Sequence, residues 1–110
     1  MRFTLDSNIL VRAATSPRGP ALRLLDIIIG AHTLVLSRFI AADLVEPVIA
    51  RPMILSDHAD DAVLYTAVDG KAQVLCTRNL RHFASAEVQS FCAEVGIRVM
   101  TDLEALRDLL

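Results

Sequence analysis

Apolar and polar positions divide the chain into short apolar runs and longer amphipathic stretches. Four runs have the continuous apolar character of buried parallel strands. They cover residues 2–5, 33–37, 73–76 and 97–100. Helical segments separate these runs, so we predict right-handed crossovers and an α/β fold whose parallel sheet is covered on both faces.

The amphipathic stretches have recognisable beginnings and ends. Helices are predicted over residues 9–14, 21–29, 39–51, 59–68 and 85–95, and after Thr101. Gly30, Gly70 and Gly96 mark helix ends, whereas Pro47 must kink or interrupt the third helix. In the last helix we expect Leu103, Leu106 and Leu110 to belong to the core.

Composition narrows the class of protein. A chain of 110 residues that is 54% hydrophobic predicts a single domain over residues 1–110. The net charge of −2 argues against a dedicated basic clamp for nucleic acid, but it leaves room for an enzyme that acts through a metal ion. Cys76 and Cys92 have no CxxC spacing, no signal peptide is recognisable and no apolar run is long enough for a bilayer. We therefore expect reduced thiols, a cytoplasmic location and no membrane association.

Carboxylates occur where an α/β sheet forms its sites. Asp6 follows the first strand directly, at the carboxyl end where such sites lie, although a helix N-cap explains it equally well. Asp60 shares a helix face with apolar Val63 and Leu64, and it alternatively complements the dipole of the first helical turn. Asp43 is either a site residue or an ordinary surface acid. Carboxylates that converge at one edge suit Mg²⁺ or Mn²⁺ rather than zinc.

Polar residues after the third strand would complete such a site. The amide of Asn79 could orient a water molecule, and Arg78 and Arg81 could hold a substrate phosphate, the alternative being solvated loop arginines. No rival constellation competes, because the chain has no nucleophile elbow, Walker loop or GxGxxG motif.

Three segments in this order resemble the PIN domain family. They are FTLDSNILV at residues 3–11, DDAVLYTA at 60–67 and VLCTRNLRHF at 74–83. The segments SPRGP at 16–20 and GIRVMT at 96–101 also resemble the subgroup of VapC-like toxins from toxin–antitoxin pairs.

The resemblance implies a three-layer α/β/α sandwich with a mainly parallel sheet of four to five strands. It implies a Mg²⁺- or Mn²⁺-dependent endoribonuclease that leaves a 5′-phosphate, is often a homodimer and is inhibited by an antitoxin protein. Carried over by position, the catalytic residues would be Asp6, Asp43, Asp60 and Asn79. The first three would hold the metal, with Ser7 and Thr77 in support.

This chain departs from the family pattern in its middle. Only four residues separate Pro52 from Asp57, where relatives carry further helical structure, so the domain is shortened there. The alternative function is therefore a catalytically impaired PIN-like module that binds RNA or protein. A third alternative, phosphotransfer with Asp6 as nucleophile, is disfavoured because no DxD pattern or lysine near a strand end supports it.

Overall fold

The computed structural model describes the backbone of residues 1–38, 40 and 56–110 and the side chains of residues 1–38, 40 and 62–110. Strands β1 to β4 are Arg2–Leu5, Thr33–Leu34, Val74–Cys76 and Arg98–Met100. Helices α1 to α5 are Ser7–Thr15, Pro20–Ala31, Ser56–Asp69, Ala86–Val95 and Asp102–Leu109, and a 3-10 helix spans Leu80–Phe83. The predicted helix over 39–51, with Asp43 and Pro47, lies outside the described residues apart from Ile40.

The four strands form one parallel sheet in the order β2-β1-β3-β4. Phe3 is in register with Val74, which in turn is in register with Arg98. The α/β class and the parallel sheet predicted from the sequence are thereby confirmed.

Side chains alternate across the sheet and so build two cores. Val74 and Cys76 point into one core and Leu75 into the other. Helices α1, α2 and α5 supply the first core, and α3 and α4 supply the second. The arrangement of helices on both faces is compatible with a three-layer sandwich.

Local chemistry explains where the helices begin and end. Pro20 begins α2, where its missing N–H costs nothing. The Ser85 hydroxyl accepts a hydrogen bond from the Val88 N–H at the start of α4, and Gly96 ends that helix with a φ of +75°, a conformation that favours glycine. Thr101 caps α5 as the sequence predicts.

Two expectations about packing differ from the structure. β2 ends at Leu34 instead of residue 37, and its hydrogen bonding to β1 continues only to the Val35 N–H, which donates to the Phe3 carbonyl at 2.7 Å. In α5, Leu106 is buried as expected, but Leu103 and Leu110 are 43% and 72% exposed, so their assignment to the core is wrong. Ala105 is buried in the core instead, because α5 packs with the side that carries Ala105 and Leu106.

Within the described residues, no helix combines the length and apolar character that crossing a membrane requires.

Candidate active site

Asp6 is placed by the junction of β1 and α1. Its N–H donates to the Cys76 carbonyl at 2.9 Å, which extends the pairing of β1 with β3 by one step. The next residue already belongs to α1, and the Asp6 backbone is extended, as an N-cap residue requires. Its side chain is only 5% exposed. The chain thus holds a carboxylate at the carboxyl end of a central strand.

Both oxygens of this carboxylate accept hydrogen bonds. Oδ1 accepts from the Ser7 N–H at 2.7 Å and lies 3.5 Å from the Ser7 hydroxyl. Oδ2 accepts from the Thr77 hydroxyl at 2.9 Å. The Ser7 and Thr77 donors act on different oxygens, so together they orient the group.

Thr77 connects the ends of three strands. Its N–H donates to the Met100 carbonyl at 3.0 Å, while its hydroxyl donates to Asp6 and accepts from the Asn79 N–H at 3.1 Å. Thr77 is completely buried. Because the threonine hydroxyl is engaged as donor and acceptor at once, it has one preferred direction, and it fixes the Asp6 oxygen in turn.

The structure brings together Asp6, Ser7, Thr77 and the backbone of Asn79. Position 60 lies in the first part of α3, one turn before Val63 and Leu64, which are 3% and 6% exposed. The side chain of Asp60 and the whole of Asp43 lie outside the described parts of the chain. Whether their oxygens meet Asp6 therefore stays a prediction.

Arg78 and Arg81 flank this edge of the sheet. Both residues are exposed, one after Thr77 and one in the 3-10 helix. Their exposure suits contact with a large anionic substrate and equally suits solvated loop residues.

Asp102 is a buried acid to which the sequence analysis gave no role. It is 3% exposed at the start of α5, two residues beyond Met100, which ends β4. Its Oδ1 accepts from the Leu103 N–H at 3.0 Å, and its Oδ2 is buried with no hydrogen-bond partner among the described residues. The rule that pointed to Asp6, an acid at the carboxyl end of a strand, also identifies this residue.

Asp102 affects the thiol beside it. Burial, together with the negative charges of the Asp102 and Glu104 carboxylates, raises the pKa of Cys76 to about 12. Cys76 is therefore a neutral thiol across the physiological range, and it acts as an apolar core residue rather than as a nucleophile or metal ligand.

The described side chains fit a hard cation only in part. Carboxylate, hydroxyl and amide oxygens are the ligands that Mg²⁺ and Mn²⁺ prefer, and Asp6 offers two oriented oxygens. Among the described residues, however, no three histidine, cysteine or acidic side chains form a group that could hold a metal ion. A cation at Asp6 would take its other ligands from water, from neutral oxygens or from acids such as Asp43 and Asp60.

Comparison of the chain with protein-family models, with curated proteins and with solved structures finds no match.

Proposed function

We propose that this protein is a PIN-like, metal-dependent endoribonuclease with its active site at Asp6. The observation that carries the proposal is the buried Asp6 carboxylate, oriented by Ser7 from its own helix and by Thr77 from the neighbouring strand. The order of the three PIN-like segments supports it, since two of them meet in space at this carboxylate.

Each residue has a defined task in the proposed reaction. Asp6, with Asp43 and Asp60, would hold a Mg²⁺ or Mn²⁺ ion, and Thr77 keeps one Asp6 oxygen pointing in a fixed direction. When bound, such an ion lowers the pKa of a ligated water and neutralises charge on the phosphoryl group. Asn79 would position the attacking water, and Arg78 and Arg81 would contact phosphates of the RNA chain.

RNA cleavage tests the proposal directly. A pool of random-sequence single-stranded RNA is incubated with the protein and Mg²⁺ or Mn²⁺, and the fragments are sequenced. We expect cleavage to fall by about 100-fold or more in Asp6→Asn, the size of effect that follows loss of a group stabilising the transition state. Asparagine is also a good N-cap, so this variant keeps the start of α1.

Asp26→Asn supplies the matched control, because Asp26 is exposed on α2 and the substitution makes the same chemical change. It should cleave like the unmodified protein. Equal cleavage rates in the Asp6→Asn and Asp26→Asn variants would show that Asp6 is not a catalytic residue.

A second candidate function is a non-catalytic module that binds RNA or protein. It is favoured by the local role of Asp6, whose capping of α1 and bond to Thr77 are sufficient structural reasons for a buried aspartate. This candidate predicts RNA or protein binding that is unchanged by metal ions and by Asp6→Asn.

The biological setting of the proposal is a toxin–antitoxin pair. The toxin would be a homodimer, and a cognate antitoxin protein would inhibit cleavage. A small open reading frame overlapping the upstream end of the coding sequence, whose product suppresses cleavage when co-expressed, is the expected finding. Light scattering would show a mass near twice 12.0 kDa.

A further inference from the structure

A shallow groove runs between α3 and α4, on the face of the sheet that carries the second core. Leu64 and Tyr65 line it from α3, and its volume is about 280 Å³. The lining from α4 consists of Glu87, Val88 and Phe91. Leu64 is 6% exposed and forms the floor, whereas Tyr65 is 57% exposed. The groove therefore presents aromatic surface to solvent and does not enclose a ligand.

Tyr65 and Phe91 are arranged edge to face. Their ring centroids lie 6.5 Å apart, and the planes of the rings are inclined by 62°. This arrangement is a favourable one for two aromatic rings, so Phe91 restricts the directions that the Tyr65 ring adopts. Because Tyr65 is more than half exposed, the rest of its ring surface is available for stacking with a planar ligand.

A carboxylate stands at the rim of the groove. Glu87 is exposed in the first turn of α4 and lines the groove beside the two rings. Among the described residues that line the groove, none is cationic. An ionised carboxylate only accepts hydrogen bonds, so it attracts N–H donors and repels a phosphate. A matching ligand has a planar ring and an N–H donor at its edge, as nucleobases with an exocyclic amino group do.

The two helices connect this groove with the proposed active site. Asp60 precedes Tyr65 by five residues, which corresponds to about 7.5 Å along the axis of α3. Helix α4 follows the 3-10 helix, which begins directly after Asn79. When a phosphate is bound at the proposed active site, the base of a neighbouring nucleotide can therefore reach the groove.

The overall charge makes base contacts an effective source of RNA affinity for this chain. It has 13 acidic residues against 11 lysines and arginines, and its net charge is −2. Phosphate contacts supply a large affinity where many cationic side chains meet the nucleic-acid backbone. Stacking of a base on an aromatic side chain does not require such a charge.

We propose that this groove is a base-binding subsite for single-stranded RNA and takes an unpaired base that carries an exocyclic amino group. The base stacks on the exposed part of the Tyr65 ring, and its amino group donates to the Glu87 carboxylate. Single-stranded RNA is the substrate class, because its bases can leave their neighbours and stack on a protein ring. The proposal rests on the proposed function, since it places the same RNA chain in the groove.

Removal of metal ions separates RNA binding from cleavage. Hexamers of cytidine and of uridine are titrated in EDTA into the isotope-labelled protein, and amide chemical shifts give the dissociation constants and the location of binding. Cytosine carries an amino group where uracil carries an oxygen. We expect the cytidine hexamer to bind about threefold to tenfold more tightly, with the largest shifts around Tyr65 and Glu87.

Two substitutions at Tyr65 test the stacking contact. Tyr65→Leu removes the aromatic ring and should weaken binding of the cytidine hexamer about 5- to 100-fold. Tyr65→Phe keeps the ring and should bind as the unmodified protein does. The side chain is more than half exposed, so we expect both variants to fold, and urea unfolding checks this.

Glu87→Gln tests the contact with the amino group. Glutamine both donates and accepts hydrogen bonds, so it suits uracil as well as cytosine, and the preference for cytidine should disappear. Glu94→Gln is the matched control, because Glu94 is exposed on α4 outside the groove and should leave the preference unchanged. The ratio of the two dissociation constants is compared, so a general gain in RNA affinity from the lost negative charge cancels.

Four results would overturn the proposal. They are equal or absent binding of the two hexamers to the unmodified protein, equal cytidine binding by Tyr65→Leu and Tyr65→Phe, an unchanged preference in Glu87→Gln, and a halved mass of Tyr65→Leu in light scattering. The last result would assign the groove to contact with a second copy of the chain. The proposed ribonuclease activity is judged separately by the cleavage assay on Asp6→Asn, which the binding measurements in EDTA do not involve.

Discussion

Thr77 holds the Asp6 carboxylate from the neighbouring strand. The hydroxyl donates to Asp6 Oδ2 at 2.9 Å in a completely buried position. Thr77→Val keeps the shape of the side chain but leaves that oxygen without this donor. We expect a loss of about 1–3 kcal/mol in the free energy of unfolding. Under the proposed function, RNA cleavage should fall about 10- to 100-fold, as for other residues that orient a ligand.

Thr77→Ser is the matched control, since serine restores the hydroxyl and loses only a methyl group. Urea unfolding and cleavage assays on both variants provide the measurements. A valine variant that cleaves RNA as fast as the serine variant would show that the hydroxyl does not position Asp6 for catalysis.

The two cysteine thiols should be unreactive toward alkylating reagents in the folded protein. Both are buried free thiols, and burial raises the pKa of each, that of Cys76 to about 12. We expect iodoacetamide at pH 8 to label neither residue in the native state and both in guanidinium, as peptide mass mapping would show. Rapid labelling of native Cys76 would contradict the assigned environment.

The raised pKa of Cys76 also has a consequence for stability. The unfolded thiol ionises near 9.0, whereas the folded one does so near 12. The unfolded state therefore loses its proton first, and the stability contribution of Cys76 is complete below pH 9 and is lost as the pH rises toward 12. Cys76→Ala should flatten this alkaline part of the stability profile in urea unfolding.

Helix α5 begins with a capping box. The Thr101 hydroxyl accepts from the Glu104 N–H at 3.2 Å, and the Glu104 carboxylate accepts from the Thr101 N–H at 2.9 Å. We expect Thr101→Ala to lower the free energy of unfolding by about 1 kcal/mol, the usual size for an N-cap. Chemical denaturation at neutral pH measures it.

Acid should weaken this cap. The hydrogen bond from the Thr101 N–H lowers the pKa of Glu104, with the Thr101 hydroxyl adding to the effect. A lowered pKa means that the stabilisation is present above the ordinary glutamate value and is lost as the pH falls through the folded one. Alanine keeps the backbone N–H and loses only the hydroxyl, so the deficit of Thr101→Ala should shrink in acid by the contribution of the hydroxyl to the Glu104 carboxylate. Ser85→Ala in α4 is the control. The position that Glu104 occupies in α5 is taken by Val88 in α4, so no carboxylate takes part in that cap and the stability deficit of Ser85→Ala should not shrink in acid.

Elements with strong local signals were predictable, and the orientation of α5 was not. Thr101 predicts the start of α5 because threonine is a good N-cap, and Gly96 predicts the end of α4 because glycine favours the left-handed conformation found there. Leu106 of α5 belongs to two possible apolar faces of the helix. One face also contains Leu103 and Leu110, and the other also contains Ala105. Packing against α2 and the sheet selects the second, and a small alanine gives little sign of this in the sequence.

At the scale of the whole molecule, the all-parallel sheet places residues from distant parts of the chain at one edge. Asp6 was predictable because strand ends are readable from the apolar pattern. The resemblance already gave Thr77 a supporting role, but which Asp6 oxygen it holds was not predictable, because that depends on the register that pairs Leu5 with Cys76. The same limit applies to Asp60, whose helix is described while its side chain is not.

Metal binding should stabilise the entire fold if Asp6 is a ligand. A saturating ion at about 100 times its dissociation constant adds about 2.7 kcal/mol to the free energy of unfolding. We expect Mg²⁺ or Mn²⁺ to raise the Tm by several degrees in the unmodified protein and in Asp26→Asn, and not in Asp6→Asn or Asp60→Ala. Calorimetry measures the Tm shift. An undiminished shift in Asp6→Asn would show that the ion binds at a site that does not include Asp6.

The bond between Thr77 and Asp6 joins residues 71 positions apart. While the ribosome is still translating the first half of the chain, Asp6 already exists but has no strand beside it and no hydroxyl to align it. Only when the segment around Thr77 emerges and pairs with β1 does the acid acquire its fixed direction. Synthesis order thus delays the assembly of this edge until most of the polypeptide is present, and a nascent fragment that ends before Thr77 cannot possess it.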